Sequence, residues 1–353
     1  MELKKRILVA PLNWGFGHAT RCIPIIKALQ DHHFEPIIAS DGDALQLLMK
    51  EFPDLKAITL PSYQIAYAKN GSPFKFKILK DSPKILKAIT RENRRLDQLI
   101  EDHKLEGIIS DNRLGLHSKK IPSVIITHQL EVLSGSTTWL SSKLHQYYIK
   151  KFDQCWVPDV KSEPSLSGRL GHMDGKIIPT KYIGLISRFR KLNVTTEYDI
   201  MVLLSGPEPQ RSILKNRLLK EFQAYDGPVL FIKGEIEKEP SKQIEGNLTL
   251  QNYMTSDDLE VAINKSALVV ARSGYTTILD LAKLGKKAFL IPTPGQFEQE
   301  YLAERFKKND IYASCSQQEF RLDKLENAMN FSGFQSEDSN VNYDDLFSLF
   351  KGE

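Results

Sequence analysis

A short glycine loop that ends in a histidine is the first place where this sequence could carry out chemistry. The loop, Gly15-Phe16-Gly17-His18, follows an apolar run, Arg6–Pro11, and precedes a helical pattern, Ala19–Leu29. Glycines allow backbone N–H groups to approach a ligand, and a helix N-terminus favours negative charge. Histidine is the side chain that most readily exchanges a proton near neutral pH. We therefore expect the two glycines to contact a ligand and the histidine to act as a general base.

A second cluster, rich in hydroxyl groups, opens another predicted helix. Ala271 ends an apolar strand pattern and is followed by Arg272-Ser273-Gly274-Tyr275-Thr276-Thr277, after which a helix is predicted over Ile278–Leu284. The serine and the two threonines offer hydroxyls and backbone donors at the helix N-terminus, where a diphosphate is well accommodated. An ordinary N-cap needs only one such residue. The segment therefore predicts a diphosphate-binding turn.

Two polar residues after this turn could reach sugar or ribose hydroxyls. Asp280 lies one helical turn further along the chain, and Gln299 lies beyond the next predicted strand in the segment P-T-P-G-Q-F-E-Q-E-Y-L-A. Either residue alone is typical of a protein surface. Together with the diphosphate-binding turn, they predict a site for a nucleotide-diphosphate sugar.

Metal-ligand spacing is not found in the sequence. Asp41-Gly42-Asp43 has the D-x-D pattern of a metal-binding loop, but it precedes a predicted helix, Ala44–Lys50, and we interpret it as a helix cap. The three cysteines, Cys22, Cys155 and Cys315, lie far apart and indicate neither disulfides nor a zinc site. We expect no metal and no cofactor.

Strand patterns alternate with helical patterns along the chain, and these elements must position the loops described above. The predicted strands before the midpoint are Arg6–Pro11, Pro36–Ser40, Ala57–Leu60, Gly107–Ser110, Ser123–Thr127 and Gln154–Val157. A polar connector, 187–197, leads to a new strand pattern, D-I-M-V-L-L, and then to Val229–Lys233, Leu248–Gln251, Leu268–Ala271 and Ala288–Ile291. Such alternation predicts parallel sheets. We expect an α/β protein of two Rossmann-like domains, residues 1–186 and 187–353, facing each other across a cleft.

Composition and charge narrow the class of protein. The chain has 353 residues, of which 41% are hydrophobic and 26% charged, as is typical of soluble globular proteins. The apolar run near the start is too short for a signal peptide, and no run reaches the roughly 18 apolar residues of a membrane span. The sequence therefore predicts a cytoplasmic protein.

The net charge of +4 conceals a basic stretch in the first half. Between Lys69 and Arg95 many lysines and arginines alternate with apolar residues, as in segments that lie against anionic lipid. A solvated helix face is the alternative interpretation of this stretch. Because no nucleic-acid recognition motif accompanies the charge, we do not expect a nucleic-acid partner.

These segments resemble the GT-B glycosyltransferases of family 28, typified by the enzyme that adds N-acetylglucosamine to a lipid-linked peptidoglycan precursor. The family's G-G-x-G-G-H loop is similar to Trp14–His18, with Asn13 and Trp14 in place of its first glycines. His128-Gln129-Leu130-Glu131 is similar in part to the family's H-E-Q-N segment, which lines the acceptor side. The resemblance implies the GT-B fold.

The second half carries further matches to the family. Gly184 and Arg188 match the G-N-P-V-R segment, which makes Arg188 an implied diphosphate contact, and Arg272–Thr277 is close to R-S-G-A-x-T. Asp280 falls on the family's ribose-binding glutamate, and Gln299 falls in its H-Q-x-x-N-A segment. Tyr253-Met254 resembles the pair whose backbone recognises uracil.

The implied reaction moves a hexose or N-acetylhexosamine from a nucleotide-diphosphate sugar, UDP being the expected nucleotide, to an acceptor hydroxyl. It is a metal-independent direct displacement in which His18 accepts the acceptor proton, while Arg188 and the 273–277 helix N-terminus stabilise the leaving diphosphate. The implied acceptor is lipid-linked, at the inner face of an anionic membrane. Asp111 and His128, which follow predicted strands on the acceptor side, are alternative bases.

Two other functions remain open. G-H-A-T-R-C also resembles the G-H-x-x-R-C motif of nucleotide-sugar hydrolases, in which water replaces the acceptor. The third alternative is a protein that binds nucleotide sugars without catalysis, since a fold alone does not establish a reaction.

Overall fold

The chain forms two α/β units, each built on its own sheet. The computed structural model describes residues 4–63, 74–173, 177–235, 239–335 and 340–352, and for 74–83 and 136 it describes the backbone alone. The first unit contains the described residues up to Ile186 together with 340–352, and the second contains those from Ser187 to 335. The prediction of two Rossmann-like parallel sheets is confirmed.

The first unit alternates strands and helices almost throughout. Its elements are β1 (Arg6–Pro11), α1 (Gly17–Asp31), β2 (Glu35–Ser40), α2 (Gly42–Glu51), β3 (Ala57–Thr59), α3 (Phe74–His103), β4 (Gly107–Asp111), β5 (Ser123–Ile126), α4 (Thr138–Ile149), β6 (Gln154–Val157) and β7 (Thr180–Tyr182). The strand β7 has little apolar character and was not predicted from the sequence.

The second unit repeats this alternation. Its elements are β8 (Tyr198–Leu203), α5 (Gln210–Phe222), β9 (Val229–Ile232), β10 (Lys242–Glu245), β11 (Leu248–Gln251), α6 (Ser256–Asn264), β12 (Ser266–Ala271), α7 (Tyr275–Leu284), β13 (Lys287–Leu290), α8 (Phe297–Lys308) and β14 (Ala313–Ser314). A last helix, α9 (Tyr343–Lys351), belongs to the first unit. The exposed strand β10 and the two-residue strand β14 were not predicted from the sequence.

The two sheets have related strand orders. Their strand orders are β3-β2-β1-β4-β5-β6-β7 and β10-β11-β9-β8-β12-β13-β14, and every described pair is parallel except β10 with β11. In each sheet the first strand is central, and the chain fills one side before it crosses to the other. The crossing point lies between β1 and β4 in the first unit and between β8 and β12 in the second. Ligands of such sheets bind at this point, beyond the carboxyl ends of the strands.

Alternating side chains of β1 explain why both faces of the first sheet are buried. Ile7 and Val9 pack in one hydrophobic cluster with α1 and α9, whereas Leu8 and Ala10 pack in another cluster with α3. A strand covered by helices on both faces has an unbroken apolar sequence, which is what the run R-I-L-V-A-P shows. This packing fixes the carboxyl end of β1 and the loop that follows it.

The assignment of residues 187–353 to one domain was wrong at its C-terminal end. Helix α9 packs on the first unit, where Phe347 is fully buried and its ring centroid lies 5.7 Å from that of Phe34 and 6.5 Å from that of Trp156. Lys181 Nζ also donates to the carboxylate of Asp345, at 2.9 Å. The chain returns to the first sheet because the apolar face of α9 fills a gap beside α1.

The basic stretch predicted to contact lipid lies partly outside the described residues. Residues 69–73 are not described, and 74–83 are described only as helical backbone of α3, so this lipid contact stays a prediction. Among the described helices, none combines the length and apolar character needed to cross a membrane.

The position of α9 predicts how the first unit unfolds. All three tryptophans, Trp14, Trp139 and Trp156, lie in the first unit, so tryptophan fluorescence reports its unfolding. Phe347→Ala is expected to lower the free energy of that transition by about 3–5 kcal/mol, since it leaves a cavity in a closed core. Urea titration followed by fluorescence measures the loss. Phe320→Ala, a change of equal size in the core of the second unit, is the matched control, and its effect on this transition is expected to be smaller. Equal effects of the two variants would contradict the assignment of α9.

Candidate active site

The predicted base, His18, lies at the crossing point of the first sheet. It occupies the first turn of α1, directly beyond the carboxyl end of β1, where Gly15 has a positive φ of 74° that favours glycine. Asp111 is the last residue of β4 and pairs in register with Pro11 of β1. A backbone hydrogen bond of 2.9 Å from Leu12 N–H to Asp111 O joins the two strand ends. The fold thus brings together two residues that stand 93 positions apart in the sequence.

His18 and Asp111 form a hydrogen-bonded pair. His18 Nδ1 lies 2.7 Å from Asp111 Oδ1; the Asp111 side chain is fully buried, and that of His18 is 14% exposed. An ionised carboxylate can only accept, so this contact places the proton of a neutral imidazole on Nδ1 and leaves the lone pair on Nε2. Asp111 thus orients His18 for proton abstraction, as the aspartate of a catalytic triad orients its histidine.

A buried arginine completes this group. Arg21 Nε donates to Asp111 Oδ2 at 2.8 Å and Arg21 Nη2 donates to Asp111 Oδ1 at 2.6 Å, so the ion pair is bidentate. Burial on its own would raise the pKa of the Asp111 carboxyl, but Arg21 and His18 outweigh burial and lower it to about 2. Asp111 is therefore an anion at neutral pH, and a general base with so low a pKa would be a weak one.

The second alternative base, His128, has a different environment. It follows β5, is buried, and its Nδ1 lies 3.5 Å from Arg21 Nη1, which can only donate. The same guanidinium lies 3.0 Å from His18 Nδ1, so this contact does not distinguish the two rings. What favours His18 is its carboxylate partner and its partly exposed ring, compared with the buried ring of His128. Beyond it, burial first and then the proximity of His128 lower the pKa of His145 to about 4. The geometry therefore favours His18 over Asp111 and His128 as the base.

Another buried network explains Asp41, which does not cap α2 as expected. Asp41 stands at the N-cap position, but its side chain makes no capping hydrogen bond, and Oδ1 instead accepts from Arg113 Nη1 at 2.8 Å. Asn13 Oδ1 accepts from Ala44 N–H in its place, at 3.3 Å. Arg113 Nε also donates to Glu92 Oε1, at 2.6 Å. These contacts attach α3 to the loops around His18, a role that spacing along the sequence did not reveal.

In the second unit, the predicted diphosphate turn lies at the crossing point of the sheet. Gly274 occupies the N-cap position of α7, and a helical hydrogen bond of 3.0 Å runs from Ile278 N–H to Gly274 O. The N–H groups of Tyr275, Thr276 and Thr277 precede that bond and stand at the positive end of the helix. The turn therefore has the geometry of an anion-binding helix N-terminus.

Ser273 and Gln299 hold this turn in place. Ser273 is fully buried, and its Oγ donates to the backbone oxygen of Gln299 at 2.8 Å. Gln299 Oε1 accepts from Thr293 N–H, also at 2.8 Å, and a Cβ added to Gly274 would lie 3.9 Å from Gln299 Nε2. The structure thus brings Ser273, Gly274 and Gln299 together, and their contact with a donor stays a prediction.

Arg272 has a structural role that differs from the predicted donor contact. Its guanidinium donates to the backbone oxygens of Ile291, Pro292 and Gln210, at 2.9 to 3.3 Å, and to the side chain of Gln317, at 2.6 Å. It is 1% exposed, and burial lowers its pKa to about 10. The guanidinium joins three segments behind the turn, because it points into the unit rather than towards α7.

Asp280 also has a contact that the sequence did not predict. Its Oδ1 accepts a hydrogen bond of 2.5 Å from Ser187 Oγ, where the chain enters the second unit. Burial raises the pKa of Asp280 to about 6, although Arg188 and Ser187 act in the opposite direction. One carboxylate oxygen is therefore engaged with the chain, which departs from the expected contact with a ribose hydroxyl.

Arg188 lies beside Asp280 and near the loop that carries Met254. Arg188 Nη1 donates to Ser256 Oγ at 2.9 Å, and its guanidinium carbon lies 4.7 Å from the centroid of the Phe189 ring. Met254 stands in the short loop between β11 and α6, half-buried, just before the N-cap Thr255. Arg188 and Met254 are thus both positioned around the start of α6.

Sequence reasoning missed Arg21, Arg113 and Ser187 as members of these groups. A signal for Arg21 was present, because residues three apart on a helix share a face and Arg21 follows His18 by three. The partners of Arg113 and Ser187 lie far away along the chain and left no such signal. In the described part of the chain, no three His, Cys, Asp or Glu side chains gather in a group that could hold a metal ion.

Comparison with known proteins gives the class of this arrangement. Residues 211–340 match the family described as Glycosyltransferase family 28 C-terminal domain, a span that includes the α7 turn, Asp280 and Gln299. An uncharacterized glycosyltransferase from Methanopyrus kandleri is 23% identical over 84% of this chain and 88% of its own length. A UDP-N-acetylglucosamine--N-acetylmuramyl-(pentapeptide) pyrophosphoryl-undecaprenol N-acetylglucosamine transferase from Clostridium tetani is 24% identical over 92% and 89%.

Solved structures show the same fold over almost the whole chain. Acinetobacter baumannii MurG aligns with a TM-score of 0.55 at 13% identity, covering 99% of this chain and 100% of its own. Phytolacca americana UGT2, complexed with UDP-2fluoro-glucose and pterostilbene, aligns with a TM-score of 0.60 at 14% identity, covering 99% and 90%. The chain is therefore a glycosyltransferase with the GT-B fold, and its C-terminal part resembles that of the family 28 enzymes.

Proposed function

We propose that this enzyme transfers a hexose or N-acetylhexosamine from a nucleotide-diphosphate sugar to an acceptor hydroxyl. The observation that carries this proposal is the contact of 2.7 Å between His18 and the buried Asp111, which leaves Nε2 of a partly exposed imidazole as the proton acceptor. In the reaction the acceptor oxygen loses its proton to Nε2 and bonds to the anomeric carbon, while the bond from that carbon to the diphosphate oxygen breaks. The nucleoside diphosphate leaves with both bonding electrons.

The second unit supplies the complementary part of this proposal. The leaving diphosphate gains negative charge, and the positive N-terminal end of α7 can stabilise it without a metal ion. Arg188 adds a positive charge near α6, and the loop of Met254 offers backbone groups to the nucleotide base. The ligand of the Phytolacca americana structure makes UDP the first nucleotide to test.

A lipid-linked acceptor is supported by the surface of α4. Four large apolar side chains of this helix are exposed, namely Trp139 at 71%, Tyr147 at 59%, Leu140 at 56% and Leu144 at 43%. Lys143, Lys150 and Lys151 are exposed among them, so apolar and cationic groups share one surface, as they do where helices lie on anionic bilayers. Gln146 Nε2 donates to Leu130 O at 3.1 Å, which attaches α4 to the loop that carries His128.

Transferase activity is favoured over the two alternatives. The relatives and structures described above carry the names of transferases, and none of those names describes a hydrolase or a binding protein. A hydrolase would release free sugar from the nucleotide sugar in the absence of acceptor at a rate close to full turnover. A transferase is expected to do so only slowly.

His18→Ala is expected to lower kcat by about 10²- to 10⁴-fold, because the acceptor proton then has no positioned base. UDP should still raise the melting temperature of this variant as it does that of the native protein, since the donor contacts lie in the second unit. His33→Asn is the matched control, because His33 is exposed with a φ of 64°, which asparagine tolerates. A His18→Ala variant with native turnover, or a His128→Ala variant with the larger loss, would show that the base is misassigned.

Asp280→Asn tests whether Asp280 holds the chain or binds ribose. The pKa of about 6 exceeds the unfolded value of roughly 3.9, so the stabilising effect of this carboxyl is complete at low pH and is lost as the pH rises through 6. The quantity to compare is the unfolding free energy of the variant minus that of the native protein. This difference should therefore rise by about 1–3 kcal/mol from pH 4 to pH 7.5. Urea titrations at both pH values measure this gain. The affinity for UDP is expected to change less than about threefold, and a loss above tenfold, about 1.4 kcal/mol, would assign Asp280 to the ribose instead.

Vesicle flotation tests the α4 surface. Binding to vesicles that contain phosphatidylglycerol is expected to weaken with added salt, and it should be stronger than binding to phosphatidylcholine alone. The Leu140→Glu, Leu144→Glu double variant is expected to lose at least about tenfold in binding, because two apolar contacts are replaced by charges that anionic lipid repels. Ile213→Glu, a change at a side chain of the second unit that is 49% exposed, is the matched control. Native binding by the double variant would exclude α4 as the lipid contact.

A further inference from the structure

The arginine beside the proposed base has a second contact that its ion pair does not explain. Arg21 Nη2 lies 2.6 Å from Asp111 Oδ1 and also 3.0 Å from His18 Nδ1. Because His18 Nδ1–H donates to Asp111, the contact between Arg21 and His18 joins two donors and gives no hydrogen bond. Its effect is electrostatic: a second proton on His18 would place a positive charge 3.0 Å from a guanidinium.

We propose, on the basis of the proposed function, that Arg21 is a positioning residue that keeps His18 in its neutral, proton-accepting form. Asp111 alone would favour a second proton on His18, and a cationic imidazole cannot accept the proton of the acceptor hydroxyl. Arg21 balances this attraction by neutralising Asp111 and by repelling a positive imidazole. It also fixes the Asp111 oxygen that holds Nδ1–H, so that Nε2 points away from the buried group.

The surroundings make this balance strong. The side chains of Arg21 and Asp111 are 1% and 0% exposed, so water screens their charges little. The other titratable groups near His18 are His128, which contacts Arg21 at 3.5 Å, and Cys22, whose Sγ lies 3.9 Å from Asp111 Oδ2. The pKa of the Cys22 thiol is raised, mainly by burial and to a smaller extent by the Asp111 charge. His145 lies on the far side of His128. Within the described residues, therefore, Arg21 and Asp111 are the charged groups that contact His18.

Nuclear magnetic resonance of the free protein tests the proposal without any substrate. The protein is labelled at its histidines, and the His18 signal is assigned by its absence from His18→Ala. In Arg21→Met, the pH midpoint of the His18 signal is expected to move upwards by about one unit or more. In Arg21→Lys, which keeps the charge, it should stay closer to the native value. Arg6→Met, which removes an exposed arginine of the same unit, controls for net charge and should leave the midpoint unchanged.

If Arg21→Met does not fold, the test uses Asp111→Asn and the double variant that removes both charges. In Asp111→Asn the Arg21 charge acts alone, and the His18 midpoint should fall below the native value. Adding Arg21→Met to Asp111→Asn leaves neither charge, and the midpoint should rise again. Equal His18 midpoints with and without Arg21 would overturn the proposal and leave Arg21 with a role in folding alone.

Activity gives a separate readout. If the proposed transfer reaction is detected, the acidic limb of its kcat/KM profile should move to higher pH in Arg21→Met by the same amount as the His18 signal. A shifted signal without detectable transfer would support the role of Arg21 and contradict the proposed function. Detectable transfer with an unshifted signal would support the function and contradict the role of Arg21.

Discussion

The first unit depends on placing a carboxylate, Asp111, at the carboxyl end of a buried strand. An isolated charge in that position would be unfavourable. Two residues of α1, an arginine with a bidentate contact and a histidine, stabilise it. The same three contacts fix the start of α1 against β4. The contacts that stabilise the buried Asp111 charge therefore also hold the partly exposed His18 imidazole by its Nδ1.

The parallel topology determines where such groups can gather. In both units the chain crosses from one side of the sheet to the other next to its central strand, so that two loops diverge there. The first unit uses this point for a buried charge and a proton acceptor. The second uses it for the N-terminus of α7, where Arg272 and Gln299 hold the neighbouring segments. The two related sheets thus position the proposed base in one unit and the proposed anion site in the other.

Local pattern explains which parts of this arrangement could be predicted. Most strands, the loop of His18 and the α7 turn are encoded by residues adjacent in the sequence, such as the apolar run before Gly15 and the hydroxyls after Ala271. Contacts between distant residues were not predictable in this way. Arg272 follows a strand like a ligand contact but turns inward to carbonyl groups, and Asp280 binds Ser187 across 93 positions. Helix α9 was misplaced because its apolar face shows that it packs, but not on which sheet.

The proposed mechanism depends most directly on which ring nitrogen of His18 carries the proton. Long-range nitrogen–proton correlation spectra of histidine-labelled protein at neutral pH distinguish the two ring nitrogens. We expect the proton on Nδ1, in a hydrogen bond to Asp111, and no proton on Nε2. A proton on Nε2 with Nδ1 bare would contradict the proposed mechanism, because Nε2 would then have no lone pair to take the proton of the acceptor hydroxyl.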